Sequence, residues 1–115
     1  MVVERSEITV TPGLEMEFEA AMGHCRSLLT EAKGCRSVRL ARGVENPSKY
    51  LLLLEWDAVQ DHVAFTRSPE FQQFREAAGP FFATKPAMEH FEPVTGKCPI
   101  TRLITGLGLA GRKDQ

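Results

Sequence analysis

KYLLLLEWDAVQDHVAF, residues 49–65, changes its period in the middle. Lys49 to Trp56 is apolar on both alternating faces, the pattern of a central strand covered on each side. From Asp57 onward the pattern turns helical, with Asp57 expected as the N-cap and Gln60 three residues on, the spacing of a capping box. Val59, Val63 and Thr66 form the expected apolar stripe of this helix, with His62 one residue off it. The only tryptophan, Trp56, and a histidine six residues later thus flank a strand-to-helix joint.

A doubly covered strand needs neighbours, and the flanking sequence supplies them. Residues 2–11 alternate, with Ser6, Ile8 and Val10 on one face and Val3, Arg5, Glu7 and Thr9 on the other. After Pro12-Gly13, Leu14, Phe18, Ala21, Cys25, Leu28 and Ala32 recur at helical spacing, Glu15, Glu17 and Glu19 sit at the end the helix dipole favours, and Gly34 closes the segment. His24 lies beside that stripe and reads as a surface residue. CRSVRLARG, residues 35–43, alternates again, and VENPS is the turn leading into the central strand.

Beyond the first helical piece, Ser68-Pro69-Glu70 restarts a helix with Ser68 as N-cap and Pro69 in the tolerated first position. Its stripe of Phe71, Phe74, Ala78 and Phe82 runs past a Gly79-Pro80 break. Residues 86–94 alternate as a fourth strand, with Ala87, Glu89 and Phe91 opposed to Met88, His90 and Glu92.

The order β-α-β-β-α-β predicts an α+β, ferredoxin-like split βαβ with a four-stranded antiparallel sheet. Both crossovers place helices on one face and leave the other bare. Only a second layer explains the apolar residues on that bare face, and this chain has no elements left to make one. The expected cover is a second copy, giving a homodimer closed sheet against sheet.

Composition narrows the function classes. The 115 residues suit one domain, 43% hydrophobic and 25% charged, with 14 basic and 15 acidic side chains interspersed. No basic footprint points to nucleic acid or to an anionic membrane, and no apolar run approaches a bilayer span. The N-terminal MVVERSEITV lacks the features of a secretory signal, and Cys25, Cys35 and Cys98 make no CxxC pair, so reduced thiols in the cytoplasm are expected rather than a disulfide framework or a metal centre. GLGLAG, residues 106–111, matches G-x-G-x-x-G, yet only RKDQ follows where a dinucleotide site needs a helix and a second strand. Residues 95–115 therefore read as a tail beyond a 1–94 domain, with room for one short edge strand and no cofactor site.

ITVTPG, the helix ending in KGC, YLLLLEWDAVQDHVAF, SPEFQQFREAAGPFF and AMEHFEPV together resemble the antibiotic biosynthesis monooxygenase family of dimeric α/β barrels. The resemblance covers residues 2–94 and implies a monooxygenase that oxidises a small aromatic or quinol-like metabolite with dioxygen, without a cofactor or metal. Members acting on anthrone-type polyketides use a Trp at the end of the third strand, an Asn four residues before it and a Tyr six residues after it. Trp56 matches the first, while the other two positions hold Leu52 and His62. Leu52 cannot hydrogen-bond a substrate oxygen, whereas His62 can serve as donor, acceptor or base. In the haem-degrading branch the key positions fall on Ser6, Phe65 and Arg75, which lack the imidazole ligand.

The candidate site is therefore His62 as base, His90 as a second base, Trp56, Phe65 and Leu52 as walls, and Arg5 or Arg39 as stabilisers of an anionic intermediate. Each has a plainer reading. Trp56 suits a core position at a strand end, His62 a buried histidine bonded to the backbone, His90 a dimer contact, and Arg5 a pair with Glu7 on its own strand face. The alternative function is a non-catalytic dimer that binds a small hydrophobic ligand.

Overall fold

A computed structural model describes residues 1–95, so Cys98 and the glycine-rich 106–111 stretch lie outside the described residues. The elements are β1 (Val2–Thr9), α1 (Glu15–Thr30), β2 (Cys35–Arg42), β3 (Lys49–Trp56), α2 (Val59–Phe65), α3 (Pro69–Ala78), a short 3-10 turn (Gly79–Phe81) and β4 (Ala87–Phe91). The strands form one antiparallel sheet in the order β2-β3-β1-β4. This is the expected ferredoxin-like arrangement, with β3 inside the sheet as its doubly apolar sequence requires.

Register divides the side chains between two faces. Glu4, Ser6 and Ile8 of β1 stand opposite Leu54, Leu52 and Tyr50 of β3, and on the outer strands Val38 and Leu40 of β2 and Met88 and His90 of β4 share their face. The core lies here, with Ile8, Phe18, Tyr50, Leu54 and Trp56 essentially sealed from solvent. Burying each such side chain contributes about 2 kcal/mol, enough to make this the face that the helices must cover. Phe18, Met22, Cys25 and Leu29 of α1 and Phe74 and Ala78 of α3 supply that cover.

The other face carries Arg5 and Glu7, Arg39 and Ala41, Leu51 and Leu53, and Glu89 and Phe91. Arg5 reaches Glu7 at 3.4 Å and Glu89 at 3.3 Å, and Lys49 reaches Glu7 at 3.3 Å. Leu51 and Leu53 are half-buried, and Phe91 is exposed. No helix of the described residues covers this apolar centre with its charged surround.

Two local expectations change. Asp57 does not cap α2: the N-cap is Ala58, without a side-chain hydrogen bond, while the Asp57 carboxylate accepts from Arg36 Nε across the β2 edge. A bulge between Cys35 and Ser37 accompanies this pair. The backbone of Asp57 is held by its N–H donating to the Gly34 carbonyl at 2.7 Å, and Gly34 adopts φ +84°, a conformation that favours glycine. The second change is the rotation of α2. Val59 and Val63 are exposed, and His62 and Phe65 face the core, because the inward positions meet Trp56 and a buried carboxylate rather than more aliphatic core. Ser68 does cap α3, its hydroxyl accepting from the Phe71 N–H at 3.2 Å, with Pro69 at the first turn.

Candidate active site

Strand alternation carries Glu4 inward on β1, and it is 7% exposed. A carboxylate there requires donors, since an unpaired buried charge costs several kcal/mol. Two donors and one imidazole nitrogen converge on it. The indole Nε1–H of Trp56 donates to Oε1 at 2.9 Å, the Ser6 hydroxyl donates to Oε2 at 3.0 Å, and His62 Nε2 lies 3.3 Å from Oε1. The chain continues beyond His62: its Nδ1 lies 2.7 Å from Nε2 of His90.

The imidazole of His62 is also stacked on the indole of Trp56, with centroids 5.3 Å apart and 22° between planes. It is 5% exposed. Burial pushes its pKa below the ordinary histidine value; the Glu4 carboxylate pulls the other way, and His90 adds to the lowering. Burial thus favours the neutral imidazole, which can accept a proton, and a carboxylate lies beside it.

These groups border a cavity of about 850 Å³ between the sheet and the α2, α3 and 79–86 segments. Glu4, Ser6 and His62 form its polar wall, and Leu52, Leu54, Phe65, Phe71, Phe74 and Met88 are among its apolar lining. Such a volume with few convergent polar groups is that of a small-molecule pocket. Arg75, whose guanidinium lies 5.9 Å from the Phe71 ring centroid, and Lys85 add positive charge to the lining.

His62, Phe65 and Leu52 line the cavity, and His90, outside its lining, contacts His62 directly. Trp56 does not line the cavity. It is fully buried behind His62 and acts on the site through its stack and its bond to Glu4. Arg5 and Arg39 are not brought to the site: they pair across the sheet with Leu53, whose parity is opposite to that of Leu52 and Leu54, and so project from the open face. The cations at the cavity are Arg75 and Lys85 instead. Glu4 was missed, although its parity with Ser6 and Ile8 marks it as a carboxylate on the buried face. Cys25 and Cys35 are not drawn into this chemistry, and burial raises both thiols above their ordinary pKa.

A family model described as antibiotic biosynthesis monooxygenase matches residues 1–77. The uncharacterized protein YczJ of Bacillus subtilis is 35% identical over 95 residues, 82% of this chain and 100% of that protein. A crystal structure from Bordetella bronchiseptica, of a protein assigned as an antibiotic biosynthesis monooxygenase, is 38% identical, with a TM-score of 0.79 over 82% of this chain and 97% of that one. SnoaB, a cofactor-independent oxygenase from Streptomyces nogalater, shares the fold at 17% identity, with a TM-score of 0.73 over 83% of this chain and 94% of that one.

Proposed function

Because the chain belongs to the antibiotic biosynthesis monooxygenase family, we propose that it is a cofactor-independent monooxygenase acting on a small, electron-rich aromatic or quinol-like compound. The observation that carries this reading is the His62 imidazole at the wall of an apolar cavity, set beside the buried Glu4 carboxylate and backed by His90 at 2.7 Å. An activated C–H or phenolic O–H in that cavity loses its proton to this imidazole, leaving the electron pair on the substrate. The substrate anion gives one electron to dioxygen, and the carbon radical and superoxide combine as a peroxide. Protonation and loss of water convert an activated CH2 to C=O, so that CH2 plus O2 becomes C=O plus H2O and the substrate supplies all the electrons. The apolar lining keeps water from the intermediates, and Arg75 and Lys85 offset the negative charge.

A second copy of the chain covering the open sheet face through Leu51, Leu53 and Phe91 completes the proposed assembly, as a homodimer. Among the described residues no helix is long and apolar enough to cross a membrane. The scattered cysteines support a cytoplasmic setting.

Oxygen consumption with a panel of anthrones and hydroquinones tests the proposal, with the parent protein compared with a His62→Gln/His90→Gln double variant. Enzyme-dependent uptake that falls by about a hundredfold or more in the double variant is the expected result. Binding of these compounds, followed by Trp56 fluorescence, with no uptake across the panel would make the chain a small-ligand-binding protein instead.

A further inference from the structure

We infer that the Glu4 carboxylate is a substrate-binding group: its Oε2 accepts a hydrogen bond from a neutral hydroxyl of the ligand, so the cavity selects phenols and enols over compounds that lack this O–H. Glu4 and Ser6 both line the cavity, and both are more than nine-tenths buried. An ionised carboxylate has about four lone-pair sites, shared between its two oxygens. Oε1 accepts from the Trp56 Nε1–H at 2.9 Å and has His62 Nε2 beside it at 3.3 Å. Among the described residues, Oε2 accepts only from the Ser6 hydroxyl, at 3.0 Å. An acceptor site on a buried anion is thus left to whatever occupies the cavity. Ser6 adds a second one: its hydrogen is committed to Glu4, and no donor among the described residues reaches its Oγ. This patch of the wall offers acceptors and no donor.

Burial makes an unmet acceptor on a charged group costly. A ligand that displaces water from such a site loses affinity unless it returns a donor. An ether or a bare hydrocarbon returns none. An ammonium group returns donors, but Arg75 and Lys85 line the same cavity and their charge opposes a second cation. A neutral hydroxyl on an aromatic or enolic carbon satisfies Oε2 without that conflict, and it leaves the ring to Leu52, Leu54, Phe65 and Phe71. Glu4 then does more than hold the indole. It fixes the substrate by its hydroxyl on the wall where His62 also lies.

The inference deepens the proposed oxygenase reading, on which it rests for the reaction, by naming the group the substrate carries. Binding measured without dioxygen keeps the two separable. Isothermal titration calorimetry under argon at neutral pH uses three probes: 2-naphthol, its methyl ether and 2-naphthylmethylammonium. The parent should bind the naphthol about tenfold or more tightly than the ether, and the ammonium no better than the ether. In Glu4→Gln the preference for the naphthol should shrink to about threefold or less, because an amide oxygen is a weaker acceptor than a carboxylate, with affinity for the ether little changed. Ser6→Ala leaves the carboxylate in place and should keep the preference.

Equal affinity of the parent for naphthol and ether, no binding of either, or an undiminished preference in a folded Glu4→Gln would overturn the inference. Tighter binding of the ammonium than of the naphthol would overturn it in favour of a cation site. Should Glu4→Gln not fold, the parent and Ser6→Ala measurements decide the matter alone. Hydroxyl selectivity that depends on Glu4, with no oxygen uptake across the anthrone and hydroquinone panel, would sustain the inference while removing the oxygenase reading.

Discussion

Replacing Trp56 by Phe separates the two things the indole does. The aromatic body stays, so most of the burial and some of the stack on His62 at 5.3 Å survive. What disappears is the Nε1–H that donates to Glu4 Oε1 at 2.9 Å. A hydrogen bond to a charged acceptor contributes about 1.5–3 kcal/mol, and its loss leaves Glu4 buried with one donor fewer. The smaller ring also leaves a void of roughly 40 Å³, which at about 24 cal/mol per Å³ adds about 1 kcal/mol. The total, about 2.5–4 kcal/mol, is a large share of the 5–15 kcal/mol typical of a domain, and at about 4 °C per kcal/mol it lowers Tm by roughly 10–16 °C.

Urea unfolding of the parent, Trp56→Phe, Glu4→Gln and the double variant, at one protein concentration, measures the coupling directly. If the indole acts through the Glu4 carboxylate, the two changes should be non-additive by about 1 kcal/mol or more. A loss near 1 kcal/mol for Trp56→Phe, the same in both backgrounds, would mean that Trp56 only fills space and that the anchoring of Glu4 is wrong.

The remaining predictions concern pH, assembly and the joint before the site. His62 has a folded pKa depressed below the ordinary histidine value of about 6.5, so the unfolded chain binds the extra proton and stability is full above about pH 6.5 and declines as pH falls below it. Unfolding midpoints between pH 7.5 and 5 should therefore drop less steeply in His62→Gln than in the parent. Leu53→Lys places a charge in the centre of the open sheet face; under the proposed dimer the parent should sediment as a dimer and this variant as a monomer, with helical content unchanged. Gly34→Ala forces a side chain at φ +84° and drives its Cβ into the Asp61 side chain, so a loss of about 1–2 kcal/mol in urea unfolding is expected.

The fold was legible because its signals are periodic and mutually consistent. Alternation in β1, the doubly apolar β3, the Ser68-Pro69 start of α3 and the Gly79 break all correspond to observed elements. The α2 segment shows where such reading stops. A stripe of Val59, Val63 and Thr66 looked like the inner face of the helix, and rotation toward His62 and Phe65 became visible only once β1 had placed Glu4 beneath it. A seven-residue helix has too little apolar area to fix its own orientation, so tertiary partners decide it. The site divides in the same way. Trp56, His62, Phe65 and Leu52 are close in sequence and were found together, but the link from His62 to Glu4 spans 58 positions and the link to His90 spans 28. Those partners follow from sheet register. Arg5 and Arg39 do lie on the face away from α1, as their parity implies, but the cavity opens on the opposite side of the sheet, which sequence parity alone does not reveal.

The most direct test of the central claim is the fate of labelled dioxygen. Protein stripped of metals and flavin is incubated under ¹⁸O₂ with an anthrone that supports oxygen uptake, and the ketone product is analysed by mass spectrometry before exchange with water. One atom of ¹⁸O in the new carbonyl, with uptake lost in the His62→Gln/His90→Gln double variant, is the predicted result. Unlabelled product, or a labelled product formed at the same rate by that variant, would contradict the account.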